Sequence, residues 1–185
     1  MMARTIVALA AVLRLAITAS AAETPPEPEG YRFDAYHAPT PLTVVGNPAI
    51  GTDEARRLWE ADAAIFVDVV APVRRPASLP SGAIWSPTPH LDVPGSFWLP
   101  DSGRGALNAE WEAWLRASLA RLVAVKPNAP LVFYCRADCW MSWNATKRAL
   151  EWGYRGALWY RDGTDGWNAA ALPLAEAQAP NDAPP

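Results

Sequence analysis

Hydrophobic positions along the chain fall into short unbroken runs. Four such runs lie at 64–70, 96–99, 131–134 and 157–160. Runs without alternation of apolar and polar residues are typical of strands that are buried on both faces of a sheet. Residues 43–45 are a candidate fifth strand. The pattern therefore predicts a sheet that lies inside the domain.

Segments between these runs have helical periodicity. A helix over 53–61 follows Thr52, a plausible N-cap residue, and a longer helix over 107–123 places its large apolar residues on one face. A third helix follows the run at 131–134 and ends at Gly153. Its apolar stripe consists of Met141, Ala145, Ala149 and Trp152, and its opposite face of Asn144, Lys147, Arg148 and Glu151. The sequence GTDGW at 163–167 predicts a turn, with Trp167 packed back onto the domain.

Strands and helices alternate along the chain, and this alternation predicts an α/β fold. We expect a small, mostly parallel sheet with helices on both faces. Ligands of such sheets bind at the carboxyl ends of the strands. Cys135 directly follows the run at 131–134, so it is expected at one of these ends.

A single domain accounts for the chain. Its 185 residues, of which 51% are hydrophobic, are enough for one sizeable core, and no internal repeat is found. Residues 23–30 are predicted to be a proline-rich acidic linker, and 31–174 form the folded domain. The Ala/Pro-rich residues 175–185 are predicted to be a disordered tail.

The first 22 residues have the three parts of a secretory signal. Arg4 precedes an apolar stretch over 5–19, and small residues at 19–21 fit a cleavage site. Arg14 interrupts the stretch, which disfavours a membrane span of roughly 20 apolar residues. We therefore expect residues 1–22 to be a signal peptide and the mature protein to be periplasmic, without membrane attachment after cleavage.

Charge and residue content disfavour several functions. The net charge of −3 offers no basic surface for phosphate backbones, so nucleic-acid binding is not expected. Two cysteines and two histidines leave few ways to build a metal site, and His37 and His90 show no ligand spacing. The sequence therefore predicts no metal and no cofactor. In an oxidising compartment two thiols are stable as a disulfide unless something reduces them.

The two cysteines are the candidates for chemistry. The segment 134–142 runs from a buried strand into an amphipathic helix, so Cys135 faces the positive end of that helix. This placement is worth about 0.3–1 kcal/mol to an anion, and it favours the reactive thiolate. Arg136 adds to the positive field and Asp138 opposes it.

Structural interpretations stay open beside the functional ones. Cysteine is among the most buried residue types, so Cys135 could simply end the strand, with Cys139 as its disulfide partner. Because both cysteines lie in one short stretch, we favour a functional pair in which Cys139 is the resolving thiol. Asp68 could orient the active loop, but a strand-end aspartate more often accepts hydrogen bonds from loop amides. We favour the latter role.

The chain resembles rhodanese-like domains, and among them a Cys-Trp motif subgroup associated with alcohol catabolism that depends on pyrroloquinoline quinone (PQQ) in bacteria. The resemblance is carried by CRADCWMSWNATKRALEWGY (135–154), ALWYRDGTDGW (157–167), FVDV (66–69), VPGSFWLP (93–100) and YRFDAYHAP (31–39). It implies a small parallel sheet with a cysteine loop whose backbone amides surround a persulfide. It also implies that Cys135 is the sulfur-accepting nucleophile, that Asp68 ends the second strand, and that the loop is formed by Arg136, Ala137, Asp138, Cys139 and Trp140, continuing through Met141 and Ser142.

The loop departs from that of ordinary rhodaneses at two places. They usually have glycine at the fourth position and arginine at the sixth, where this chain has Asp138 and Trp140. Loss of the arginine and gain of a carboxylate weaken the capture of a small dianion such as thiosulfate. The loop therefore suits a protein thiol, a persulfide or a redox partner better.

Two functions from different classes follow. In the favoured one, an exported sulfurtransferase-like protein uses Cys135 to attack sulfane sulfur or a disulfide, and Cys139 resolves the intermediate. Its partner is a sulfur donor or a protein thiol, and the resemblance places it beside PQQ-dependent alcohol oxidation. In the second, the Cys135–Cys139 disulfide is structural, and a Trp-rich surface docks a periplasmic PQQ-dependent dehydrogenase or its cytochrome.

Overall fold

A computed structural model describes residues 24–178 and 180–184 of the chain. These residues contain eight short strands: β1 (Thr43–Val44), β2 (Asn47–Pro48), β3 (Ile65–Asp68), β4 (Leu91–Asp92), β5 (Phe97–Trp98), β6 (Leu131–Tyr134), β7 (Leu158–Trp159) and β8 (Ala175–Glu176). Their four helices are α1 (Thr52–Glu60), α2 (Ala109–Val125), α3 (Trp140–Glu151) and α4 (Gly163–Ala169). The signal-peptide prediction falls on residues 1–22, outside the described residues.

The centre of the molecule is a parallel sheet of four strands in the order β5-β3-β6-β7. Every residue of β3 and β6 is buried, as the unbroken apolar runs predict. The register places Asp68 beside Tyr134 at the carboxyl edge, so Cys135 emerges next to the end of β3. The mixed α/β fold with a mostly parallel sheet is thereby confirmed.

Helices cover both faces of this sheet, as predicted. On one face, Val67 and Phe133 pack with α2 and α3 through residues such as Leu119 and Ala145. On the other face, Phe66, Val132 and Tyr134 pack with Ala55 of α1 and Trp167 of α4. Cys135 and Cys139 belong to the α2/α3 side of the core.

Three local predictions differ from the structure. The strand predicted at 43–45 pairs with β2 in a separate antiparallel hairpin, because Val45 and Gly46 both have positive φ and turn the chain back. Thr52 is the first residue of α1 and not its cap, and its hydroxyl lies 3.0 Å from that of Tyr160. The predicted turn at 163–167 is the start of α4, although Trp167 is buried as expected.

Other boundaries shift by a few residues for visible reasons. α2 begins at Ala109 because the Asn108 side chain accepts a hydrogen bond from the Trp111 amide at 2.9 Å and so caps the helix. Residues 175 and 176, assigned to the tail by composition, form β8 and pair with β4. Within the residues described, no helix is long and apolar enough to cross a membrane.

Candidate functional site

The two cysteines form a disulfide where the central sheet meets α3. Cys135 directly follows β6, Cys139 is the N-cap residue of α3, and their Cα atoms lie 6.2 Å apart. Both residues are almost fully buried, with 2% and 1% of their surface exposed. The sequence predicts that Cys135 faces the N-terminus of the helix, whereas the cysteine at that terminus is Cys139. The bond nevertheless joins Cys135 to that position.

The residues between the cysteines are held by α4. The carbonyl of Cys135 accepts hydrogen bonds from the amide and hydroxyl of Thr164, at 3.0 and 3.3 Å. The Ala137 amide donates to the Asp165 carboxylate at 3.1 Å. Gly163 sits against this carbonyl at a φ of +54°, so a side chain there would strike the loop. The turn GTDGW is therefore part of the support for the cysteine loop.

A short segment from the start of the domain covers the other side of the loop. Residues 36–38, named here the cover segment, run antiparallel to residues 138–140. The Ala38 amide donates to the Asp138 carbonyl at 3.1 Å, and the Trp140 amide donates to the Tyr36 carbonyl at 2.8 Å. The part of the loop that contains Cys139 is thus paired with main chain contributed from about 100 residues earlier in the sequence.

Polar residues of α3 anchor the chain that leads into the cover segment. Asn144 accepts from the Arg32 amide at 2.9 Å and donates to the carbonyls of Arg32 and Gly103 at 2.8 and 2.9 Å. Arg148 donates to the carbonyls of Ser102, Arg104 and Gly105. Both side chains are buried, so this part of the face that the periodicity placed opposite the apolar stripe is an internal surface, whereas Glu151 of the same face is exposed.

The predicted loop residues divide into two groups. Arg136, Ala137 and Asp138 are exposed, whereas Trp140, Met141 and Ser142 are buried. Trp140 packs with Trp143, Trp159 and Val44, so both tryptophans at the start of α3 belong to the core. Two loop amides predicted to surround a sulfur atom are used elsewhere: that of Ala137 by Asp165 and that of Trp140 by Tyr36.

Asp68 has a different position from the cysteines. Its side chain extends from the α1/α4 face of the sheet, accepting from the Val70 amide at 2.8 Å and bonding to His90 Nε2 at 2.7 Å. The first bond is of the kind expected of a strand-end aspartate that accepts from a loop amide. Burial raises the pKa of Asp68, and the hydrogen bond to His90 opposes this shift. His90 was missed by sequence reasoning because nothing in its spacing links it to a residue 22 positions earlier.

A second carboxyl group lies near this pair. Burial raises the pKa of Asp92 to about 6, with a further rise from the charge of Asp68 and an opposing effect of His90. The Tyr134 hydroxyl bridges the region, donating to Ser96 Oγ at 2.7 Å and accepting from the Val93 amide at 3.1 Å. No group of three or more His, Cys, Asp or Glu side chains arranged for a metal ion occurs among the described residues.

Comparisons with known proteins give matches only among solved structures. No protein-family model and no curated protein matches the chain. A thiosulfate sulfurtransferase from Pseudomonas aeruginosa is similar at 22% identity and a TM-score of 0.47, over 71% of this chain and 21% of its own. A human single-domain sulfurtransferase is similar at 24% identity and a TM-score of 0.40, over 67% of this chain and 97% of its own. This chain thus spans about a fifth of the length of the first.

Proposed function

We propose that this is a rhodanese-like protein whose Cys135–Cys139 pair performs thiol–disulfide exchange. The observation that carries the proposal is the disulfide between the end of a central strand and the N-cap of α3. The carboxyl edge of a parallel sheet is where ligands of α/β folds bind. The sequence resemblance over 135–154 supports the rhodanese-like assignment.

The position of Cys139 assigns the two cysteines different roles. A thiolate at the N-cap is stabilised by the amides and dipole of α3, so Cys139 is the better leaving group. An incoming thiolate therefore attacks Cys135 Sγ, the bond between the cysteines breaks, and Cys139 leaves as the thiolate. A second thiolate attacks the incoming group's sulfur in the mixed disulfide, releasing a disulfide and leaving Cys135 reduced. Two electrons pass from the thiols to the protein.

Access to the bond requires a local opening. Both sulfur-bearing residues are buried, and the cover segment is attached to the loop beside Cys139 by two main-chain hydrogen bonds. Each such bond contributes about 0.5–1.5 kcal/mol, so separating them is compatible with a transient opening of the native state. We infer that a partner thiol reaches Cys135 when residues 36–38 lift away.

Sulfur transfer is the second reaction that this pair supports. A persulfide on Cys135 requires a free thiol, so the disulfide must first be reduced. Exposed Arg136 then offers a positive charge next to the reacting sulfur. Asp138 at the loop tip makes a protein or small-molecule persulfide a better donor than thiosulfate.

A structural disulfide in a non-catalytic docking module is the rival function. The observation that favours it is the burial of both cysteines, together with the use of the Ala137 and Trp140 amides by other groups. In this case the pair fastens the loop to α3, and the protein acts through its surface alone.

Intact-mass measurement separates the three functions. Purified protein is treated with dithiothreitol, then with oxidised glutathione or a polysulfide, and desalted before each measurement. Exchange predicts a gain of about 2 Da on reduction and its loss on reoxidation, whereas sulfur transfer predicts an adduct of about 32 Da on the reduced protein. A disulfide that resists dithiothreitol in the folded protein would support the docking module and contradict the exchange.

Single-cysteine variants test the assigned roles. With Cys139→Ser, the glutathione adduct on Cys135 should persist because the resolving thiol is absent. With Cys135→Ser, no stable adduct is expected on Cys139, because a thiolate stabilised at the N-cap is the better leaving group and its mixed disulfide is more readily cleaved. An adduct that forms equally in both variants would contradict the assignment of Cys135 as the attacked residue.

We also propose that the protein is exported and acts beside a PQQ-dependent dehydrogenase or its cytochrome. Support comes from the signal-like residues 1–22, the resemblance over 135–154, and a disulfide that suits an oxidising compartment. Fractionation of bacteria expressing the full chain should place it in the periplasm, and deletion of residues 2–22 should retain it in the cytoplasm. Titration of the protein against a purified dehydrogenase and cytochrome tests the partner.

A further inference from the structure

A pocket of about 730 Å³ opens at the carboxyl edge of the sheet, beside the cysteine loop. Much of its wall is apolar, with Val73, Pro87, Trp98 and Leu174 among the contributing residues. Volume and lining are both typical of small-molecule sites, which measure about 300–1,000 Å³. Neither cysteine is among the described residues that line it, so the pocket is distinct from the disulfide.

His90 is held rigidly in the wall of this pocket. Its Nε2 bonds to the fully buried Asp68 carboxylate at 2.7 Å, and its carbonyl accepts from the Ala177 amide at 2.8 Å. Its ring lies against Trp98, with centroids 4.5 Å apart, and Trp98 is itself fixed by a bond from its Nε1 to the Val70 carbonyl. Within the described residues Nδ1 has no partner; it accepts from a ligand when Nε2 carries the only ring proton, and it donates only when both ring nitrogens are protonated.

Arg136 supplies a positive charge on the same pocket wall. It is exposed, and the structure gives its guanidinium no hydrogen bond or ion pair with any described residue. Its charge is near enough to Asp68 to lower the pKa of that carboxyl. An unpaired guanidinium beside an apolar cavity is a group to which a carboxylate can bind with two parallel hydrogen bonds.

Two carboxylates limit the charge that the pocket accepts. Asp165 and Glu176 both contribute to the lining. Asp165 is engaged with the Ala137 amide, whereas Glu176 lies on the exposed side of β8. These two negative charges disfavour a polyanion such as a nucleotide, because they repel the several negative charges of such a ligand. A single negative group near Arg136 and His90 is favoured instead.

We propose that this pocket binds a small organic monocarboxylate, with its carboxylate on the Arg136 guanidinium near the His90 ring and its hydrocarbon or aromatic body against Trp98 and the prolines of the wall. The inference goes beyond the proposed thiol exchange and does not depend on it. Binding removes the apolar surface of the ligand body and of the pocket wall from water, and the carboxylate fixes the orientation of the ligand.

Calorimetric titration with 4-phenylbutyrate tests the proposal, with 4-phenylbutanamide and acetate as matched ligands. The carboxylate should bind, and Arg136→Gln should weaken it by at least about tenfold because a charge-assisted bond is lost. Arg155→Gln removes an exposed arginine outside the pocket and should leave affinity unchanged. Equal binding of the amide would overturn the role of charge, and equal binding of acetate would overturn the role of the apolar wall.

The two histidines give a second, site-specific measurement. In imidazole NMR spectra of the oxidised protein, assigned with His37→Gln, the His90 signals should shift with added 4-phenylbutyrate while those of His37 stay in place. Signals of His90 that do not move at saturating ligand would overturn the proposal. Because the readout uses the intact disulfide, a negative result here would leave the thiol chemistry untouched.

Discussion

At the scale of single residues, Cys139 is the N-cap residue of α3, a position where many helices have a side chain with a hydrogen-bonding oxygen. Serine, threonine, aspartate and asparagine are preferred there because their oxygens accept from first-turn amides. In α3 no side chain makes such a bond. Reduction would therefore place a thiolate where the helix is best able to stabilise a negative charge.

Replacement of Cys139 should show this capping position directly. Between two variants that both carry Cys135→Ala, the one with Cys139→Ser should be more stable than the one with Cys139→Ala by about 0.5–2 kcal/mol, because serine supplies a capping oxygen. Urea denaturation measures the difference. As a control, Cys135→Ser compared with Cys135→Ala, both in a Cys139→Ala background, should bring no such gain. Equal stabilities of the first pair would contradict the capping role.

At the scale of elements, the cover segment decides how accessible the disulfide is. Its hydrogen bonds to the loop are made by main-chain groups, so the strength of this contact depends little on which side chains the segment carries. Of the two main-chain hydrogen bonds between the cover segment and the loop, one is donated by the Ala38 amide. Removal of this donor should increase the population of the open state.

Ala38→Pro should therefore accelerate reduction of the disulfide. Loss of one main-chain hydrogen bond of about 0.5–1.5 kcal/mol predicts a rate about 2–10 times higher with dithiothreitol. Stopped aliquots analysed by intact mass give the rate. Ala77→Pro, in an exposed loop away from the cysteines, is the matched control. A rate equal to that of the unmodified protein would show that residues 36–38 do not control access.

The elements that the sequence predicted well are those governed by local pattern. The strand at 131–134 was predicted at its observed bounds, and the helix ending before Gly153 ends at Glu151. The apolar runs identify buried strands because both faces of the sheet are covered. The cover segment could not be predicted, since its bonds join residues about 100 positions apart and use backbone groups that every residue has.

The same reasoning explains the outcome at the candidate site. A disulfide is one of the interpretations that the sequence gives for the two cysteines, because they lie only four positions apart. The Asp68–His90 pair depends on the path of the loop between β3 and β4, which no local signal specifies. Buried Asn144 and Arg148 were placed on the correct side of α3, but what covers that side is set by tertiary packing.

At the scale of the whole molecule, the acidic groups at the carboxyl edge make stability depend on pH. Asp92 has a pKa of about 6 in the folded protein, above the usual value of 3.8. Between these values the folded state binds a proton that the unfolded state lacks, so the free energy of unfolding falls as pH rises from about 4 to 6.

Asp92→Asn should remove this part of the pH dependence. Relative to the unmodified protein, the variant should gain stability as pH rises from about 4 to 6 and keep that gain above 6, because it no longer carries a buried charge. Thermal melts at a series of pH values measure the difference. Asp53→Asn, at an exposed position of α1, controls for the loss of one charge. Parallel curves for the Asp92 variant and the unmodified protein would contradict the shifted pKa.

The sequence separation of four between the bonded cysteines has a consequence for the cell. So small a ring restricts the denatured chain only slightly, and a chain-entropy treatment gives it about 2 kcal/mol, against nearly 5 for a ring of 100 residues. We expect the domain to stay folded when that contribution is removed, because the apolar clusters on both faces of the sheet consist mostly of other residues. Oxidised and reduced molecules can therefore coexist as folded species, and the ratio between them can follow the electron supply of the compartment.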